Sequence, residues 1–229
     1  MALQRIFDRI LSFPVFQGVG VRDLEEIITQ TKFDFHTIAS GKTIITQGEE
    51  ANRLYFLLSG SIAIEREADD HSYRIIEEVS VPMMLQPEAM WSSAQRFSLG
   101  VKSLDRAGIM TVDKTEVLKF LDRYPVVRLN MITLLATHVQ QLSHLFWRRH
   151  GDDLSKKLID FLLFHCLRPA GRKVVKIKMT QLAKELNDSR LDVSVVLNQL
   201  NDEGLIHLFR GGFEIPAMEL LINRESLKR

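Results

Sequence analysis

The stretch KMTQLAKELNDSRLDVSVVLNQLNDEGLI, residues 178–206, decides the fold. Leu182, Ala183 and Leu186 fall on one face of a first helix, and Val193, Val196, Leu197 and Leu200 form a stripe along a second. Asn187-Asp188 separates them. Ser189, with Asp192 three residues on, is a capping-box pattern that starts the second helix. Helix, tight turn, helix and strand start is the build of a winged helix-turn-helix, whose second helix is shaped to enter the DNA major groove. The cap leaves Arg190 on the first turn, at the end that meets bases and phosphates. The alternative, on these residues alone, is an ordinary helical hairpin.

The flanks fit the same unit. Val174 to Lys178 alternates as a half-buried strand does. Gly211-Gly212 reads as a hairpin turn between two short strands, which makes the wing, and Met218–Asn223 as a closing helix. Leu154, Leu158, Phe161 and Leu162 lie on an amphipathic helix ending near Arg168-Pro169. Its segment Leu162–Leu167 carries the single cysteine, Cys166, expected as buried filler, with a redox switch as the alternative. Net charge is only +1, but Arg168 to Arg190 holds seven basic residues (Arg168, Arg172, Lys173, Lys176, Lys178, Lys184, Arg190) against Glu185 and Asp188. Such a patch before a recognition helix is the footprint phosphates require; a solvated loop face is the bland alternative.

Upstream, His150-Gly151-Asp152-Asp153 reads as a hinge. Before it a long helix follows Pro125, on which Ile132, Leu135, Val139, Leu142 and Phe146 step by three and four. That is the seam spacing of a parallel coiled coil and the expected dimer interface; the alternatives are a helix packed on its own domain, or a mixed role with one edge against the sandwich and the seam against a second copy. Residues 14–113 read as mostly strands, Thr43–Thr46, Arg53–Leu58, Ser61–Arg66, Tyr73–Val79 and Gly108–Asp113, punctuated by glycines as in a sandwich or barrel. Helices are expected at Val21–Thr31 and Lys114–Arg123.

The 229 residues exceed one small core. No apolar run reaches the roughly 20 residues of a membrane span, and MALQRIFDRILSF lacks a small-residue cleavage site, so neither membrane nor secretion is expected and the cytoplasm is the natural compartment. One cysteine excludes an internal disulfide, a four-cysteine metal site and an iron–sulfur cluster. His36 and His71 show no ligand pattern, and His138, His144 and His150 are spaced by six, so no metal site is expected. G-x-S-x-G, P-loop and H-E-x-x-H motifs are absent, so no enzyme is expected.

In this order the parts resemble the CRP/FNR superfamily of bacterial transcription regulators. The resemblance spans essentially the whole chain. It is carried by Pro14-Val-Phe-Gln17, Gly41, Gln47-Gly48-Glu49, Leu54-Tyr-Phe-Leu-Leu-Ser-Gly60, Asp153, Leu182-Ala183, Ser189-Arg190 and Glu203-Gly-Leu-Ile206. It implies an α+β fold: a β-roll sensor domain like a cyclic-nucleotide-binding jelly roll (1–124), a dimerisation helix (125–150) and a winged-helix DNA-binding domain (151–229). It also implies a homodimer on palindromic double-stranded DNA, acting with RNA polymerase. The competing class is a small-ligand-binding module without a DNA role.

The departures are specific. Nucleotide-binding members carry Gly-Glu, a short spacer and Arg-Ser-Ala, whose glycines free backbone donors while the Glu holds the ribose and the Arg the cyclic phosphate. Here the stretch is Val81-Pro-Met-Met-Leu-Gln-Pro-Glu-Ala-Met-Trp91 and then Arg96-Phe-Ser98, without glycines and with Pro82 and Pro87 removing donors. Glu88 and Arg96 are the nearest equivalents, each about one place out of register, and Leu142-Ser143 stands where a Thr-Ser pair would meet the base. Cyclic AMP is therefore not expected, and no cofactor is identified. Met83, Met84, Leu85, Met90 and Trp91 read first as core, and otherwise as an apolar pocket for an unknown effector. On the recognition helix Arg190 keeps the family's first Arg, but Leu191 replaces its Glu and Val195 its second Arg. The expected DNA contacts are Lys178 and Thr180 to phosphate, Ser189 at the cap, Arg190 to guanine or phosphate, Leu191 to a thymine methyl, and Ser194 to a base edge or phosphate.

Overall fold

A computed structural model describes residues 9–80, 82–146 and 153–227. After a short 3₁₀ turn at Pro14–Phe16, the helices are α1 (Val21–Gln30), α2 (Pro87–Trp91), α3 (Lys114–Arg123), α4 (Pro125–Phe146), α5 (Leu154–His165), α6 (Met179–Glu185), α7 (Arg190–Asp202) and α8 (Met218–Leu227). The strands are β1 (Phe33–Ile38), β2 (Thr43–Ile45), β3 (Arg53–Ser59), β4 (Ile62–Glu67), β5 (Tyr73–Val79), β6 (Met83–Leu85), β7 (Gly100–Ser103), β8 (Ala107–Asp113), β9 (Lys173–Ile177), β10 (His207–Phe209) and β11 (Gly212–Ile215). The fold is α+β, as expected. The expected hinge residues His150–Asp152 lie outside the described residues.

The chain folds as two compact units. One comprises Met1–Ile62 and Ser80–Phe146, the other Ala63–Val79 and Trp147–Arg229. In the first, four strands follow the order β1-β8-β3-β6, and β2 pairs with β7. Alternation on β3 turns Leu54 and Phe56 inward against Met110 and Val112 of β8. Phe13 meets Phe56 edge-on at a ring separation of 5.0 Å, and Phe16, Val117 and Phe120 complete the core. Phe56 is fully buried, so its truncation to alanine costs about 3–5 kcal/mol. Val127 and Met131 turn one face of α4 into the same core.

In the second unit the strand order is β10-β11-β9-β5-β4. β5 pairs antiparallel with β9 from Tyr73 opposite Ile177 to Glu77 opposite Lys173. Ile75 is thereby buried with Val175, Leu158 and Phe213. The compact units therefore do not follow a linear division at residues 124 and 150. The β4–β5 hairpin completes the sheet and core of the winged helix, because β9 offers it a full ladder edge and Ile75 an apolar bed.

Local corrections follow from pairing. Phe209 faces Gly212 across the ladder, so the wing turns at Arg210-Gly211 rather than at Gly211-Gly212. Gly211 has φ +89°, the conformation that this tight turn requires. Gly212 is needed for another reason: a Cβ there would lie 2.0 Å from the Val175 carbonyl oxygen. Cys166 lies just past the end of α5, in extended backbone, not inside the helix. The first unit also holds β1, β6 and β7, which the strand runs did not indicate.

Candidate nucleic-acid interface

α6 starts after Lys178, whose extended backbone caps it without a side-chain bond. Lys178 and Thr180 are both exposed at this entrance. α6 stops where Asn187 turns through the left-handed region at φ +48°, a conformation asparagine tolerates. The turn is pinned from outside it. Lys157 Nζ on α5 donates to Asp188 Oδ2 at 3.1 Å and holds that carboxyl below its ordinary pKa, while Asp188 Oδ1 accepts from the Ser189 N–H at 2.9 Å.

Ser189 then caps α7. Its Oγ accepts from the Asp192 N–H at 3.1 Å and donates to Asp192 Oδ2 at 2.6 Å. Only half the capping box forms as expected, since Asp188, not Asp192, satisfies the Ser189 N–H. A cap of this kind stabilises a helix by about 1 kcal/mol. Val193, Leu197 and Leu200 are buried on Leu182, Leu186 and Ile206. That burial fixes the opposite face: Arg190 is exposed, Leu191 is 73% and Val195 58% exposed, and Ser194 is half-buried. The wing is tied to the far end of α7 by the Leu208 N–H, which donates to Asn201 Oδ1 at 3.0 Å, and Arg210 is exposed at its tip.

The basic patch divides in two. Lys176, Lys178, Lys184 and Arg190 are exposed, as a phosphate-facing set requires. Arg172 and Lys173 are not part of it. Arg172 grips Glu214 with Nε at 2.7 Å and Nη2 at 3.0 Å and also pairs with Glu78; Lys173 is fully buried against Glu77. Both cations serve the hairpin and wing, so counting charges overstated the patch. Val195, absent from the expected contacts, shares the exposed face of α7 with Leu191. The spacing of Val195 four residues after Leu191 is the signal that places it there.

In the first unit the residues at the position of the nucleotide cassette are engaged with the protein itself. Gln86 is buried at φ +44°, and its side chain brackets Leu99, accepting from the N–H at 2.9 Å and donating to the carbonyl at 3.0 Å. Arg96 donates from Nη1 to the Gly48 carbonyl at 2.7 Å. Glu88 is half-buried on the first turn of α2, and Ser143 is exposed on α4. Met84, Leu85 and Met90 are buried, with Met84 and Met90 packed into the main core. Met83 and Trp91 are half-buried. Pro82 and Pro87 have no backbone N–H to offer a phosphate.

On α4, Leu129, Ile132, Val139 and Leu142 are 62%, 56%, 66% and 44% exposed. Leu135 is half-buried and packs against the core, and the side chain of Phe146 lies outside the described residues. Among the described residues no cluster of three His, Cys, Asp or Glu could hold a metal ion. Nor is any helix among them long and apolar enough to cross a membrane.

Residues 35–124 match the family model for a cyclic nucleotide-binding domain, and residues 156–224 match that for a Crp-like helix-turn-helix domain. The cyclic AMP receptor protein of Thermus thermophilus is 22% identical over 208 residues, covering 91% of this chain and 94% of that protein. The global nitrogen regulator of Synechocystis sp. is 23% identical over 185 residues, covering 75% and 80%. The crystal structure of the Thermus thermophilus catabolite activator protein matches the fold with a TM-score of 0.51 at 22% identity, over 91% of this chain and 96% of that one.

Proposed function

The chain belongs to the CRP/FNR superfamily of transcription regulators, and we propose that it works as a homodimer that seats two copies of α7 in the major groove of a palindromic operator. Half-site centres are then one helical turn, about 34 Å, apart. The observation that carries this reading is the outward face of α7. Burial of Val193, Leu197 and Leu200 leaves Arg190, Leu191 and Val195 in solvent beside exposed Lys178 and Lys184. A ligand-binding module with no DNA role gives no account of that face.

The dimer rests on α4. An apolar row at three- and seven-residue spacing, Leu129, Ile132, Val139 and Leu142, left open on a helix whose other face is already buried, suits a second copy of the same helix. The β-roll is the regulatory element, and the effector is not cyclic AMP. Gln86 holds the backbone of Leu99 and Arg96 that of Gly48, which supports that reading. Any effector must bind one arrangement of the dimer better than another, or it shifts nothing. The bound dimer acts with RNA polymerase, in the bacterial cytoplasm where its operator lies.

The test is selection of duplexes from a random pool by the full-length protein at modest salt, with sedimentation of the complex. A palindromic consensus bound by two 26.3 kDa chains is expected. No complex under any added small molecule, or a one-chain complex on an asymmetric site, overturns the proposal.

A further inference from the structure

Building on that DNA-binding reading, we infer that the operator half-site is read chiefly through thymine methyl groups, by an aliphatic clamp made of Leu191 and Val195. The two side chains sit four residues apart on α7, so they stand one turn apart on one face with about 5–6 Å between their Cβ atoms. They are 73% and 58% exposed, on a helix whose other apolar residues face the core: Val193, Leu197 and Leu200 are at most 2% exposed, and Val196 is half-buried against the same cluster. Packing does not account for their exposure.

The surroundings select a nucleic acid as the occupant. Lys178 at the start of α6, Lys184 on it and Arg190 at the head of α7 are exposed cations. The nearest acid on α7, Asp192, is engaged by the Ser189 hydroxyl. Polar groups that could compete for base edges further along the helix are turned back on it: Asn198 Nδ2 donates to the Ser194 carbonyl at 2.8 Å. Between its charged rim and its bonded amide, the middle of α7 offers carbon. In the major groove the only base-edge group that carbon recognises well is the C5 methyl of thymine. Arg190 remains free for a guanine or a phosphate at the half-site edge.

The test uses full-length protein and a duplex recovered by selection. Each thymine is replaced in turn by deoxyuridine, which removes one methyl and leaves the hydrogen-bonding edge unchanged. At the clamp positions affinity should fall about fourfold per methyl, the effect of one buried carbon group. Leu191→Ala with Val195→Ala should bind thymine and uracil duplexes equally while keeping salt-dependent binding. Both residues are exposed, and an unchanged melting temperature checks that the variant folds.

Wild-type protein that binds thymine and uracil duplexes alike overturns the clamp and leaves the DNA-binding reading intact. Discrimination that survives in the double variant also overturns it. A change in oligomeric state in that variant reassigns the pair to a protein contact. Failure of the wild type to bind any duplex removes both readings at once.

Discussion

Lys173 Nζ lies 2.7 Å from Glu77 Oε2, with the two side chains 0% and 5% exposed. The pair joins β9 to β5 inside the DNA-binding unit and makes further bonds to the backbone. Glu77 also accepts from the N–H groups of Leu167 and Arg168, at 2.5 and 3.2 Å, and Lys173 donates to the Ala170 carbonyl at 2.9 Å. Removing one partner strands a charge in the interior. Glu77→Ala should therefore destabilise the unit by about 3–5 kcal/mol in urea unfolding. Glu77→Met with Lys173→Met should recover much of that loss, because neither charge is then buried alone. A single variant with unchanged midpoint would falsify the structural role of the pair.

Arg190 and Lys178 should fail differently. Arg190→Ala should cost about 1–3 kcal/mol of specific affinity and relax the sequence preference at one position of each half-site. Lys178→Ala should weaken all duplexes about equally and lower the salt slope by about one unit. Binding titrations at several salt concentrations separate the two, and identical behaviour of the variants would remove the division of labour.

Leu142 is 44% exposed on the open row of α4. Leu142→Asp would bury an unpaired carboxylate in the proposed dimer seam, a change that such an interface does not tolerate. Sedimentation should report a chain of 26.3 kDa for the variant, twice that for the wild type, and loss of operator binding. A variant that stays dimeric would place the seam elsewhere.

Burial, with the nearby Glu77 carboxylate second, pushes the Cys166 thiol up to about 12. The folded chain holds this proton where the unfolded chain, near the ordinary value of 9.0, has released it. Stability from this group is thus complete below pH 9.0 and declines as pH rises towards about 12. At neutral pH the thiol is protonated and a poor nucleophile. Alkylation by iodoacetamide should be slow in the native protein and fast in urea; fast native labelling would revive the redox reading.

The sequence carries most of what lies within one element. Ser189 and Asp192 mark the start of α7, Lys114–Arg123 reads as the helix that forms, and the seven- and three-residue steps of Ile132, Val139 and Leu142 mark the open face of α4. It carries little of what depends on distant pairing. β1 alternates only over Phe33–His36, a run too short to stand out, and β6 spans only three residues. The inward turn of Arg172 and Lys173 was illegible for the same reason, because their partners Glu78 and Glu77 lie 94 and 96 residues upstream. The Leu191–Val195 pair was visible as residue types, but its exposure follows from how Val193 and Leu197 pack.

The partnership of β5 with β9 also shapes how the protein is made. A ribosome adding about 5–20 residues per second produces Lys173 roughly 5–20 s after Glu77. During that interval the backbone edge from Tyr73 to Glu77 has no ladder partner, and Ile75 has no core to enter. An uncovered edge is a template for any neighbouring nascent chain. Crowded polysomes, rather than heat, should therefore be where this protein aggregates, and slowing elongation between residues 80 and 173 should raise its insoluble yield.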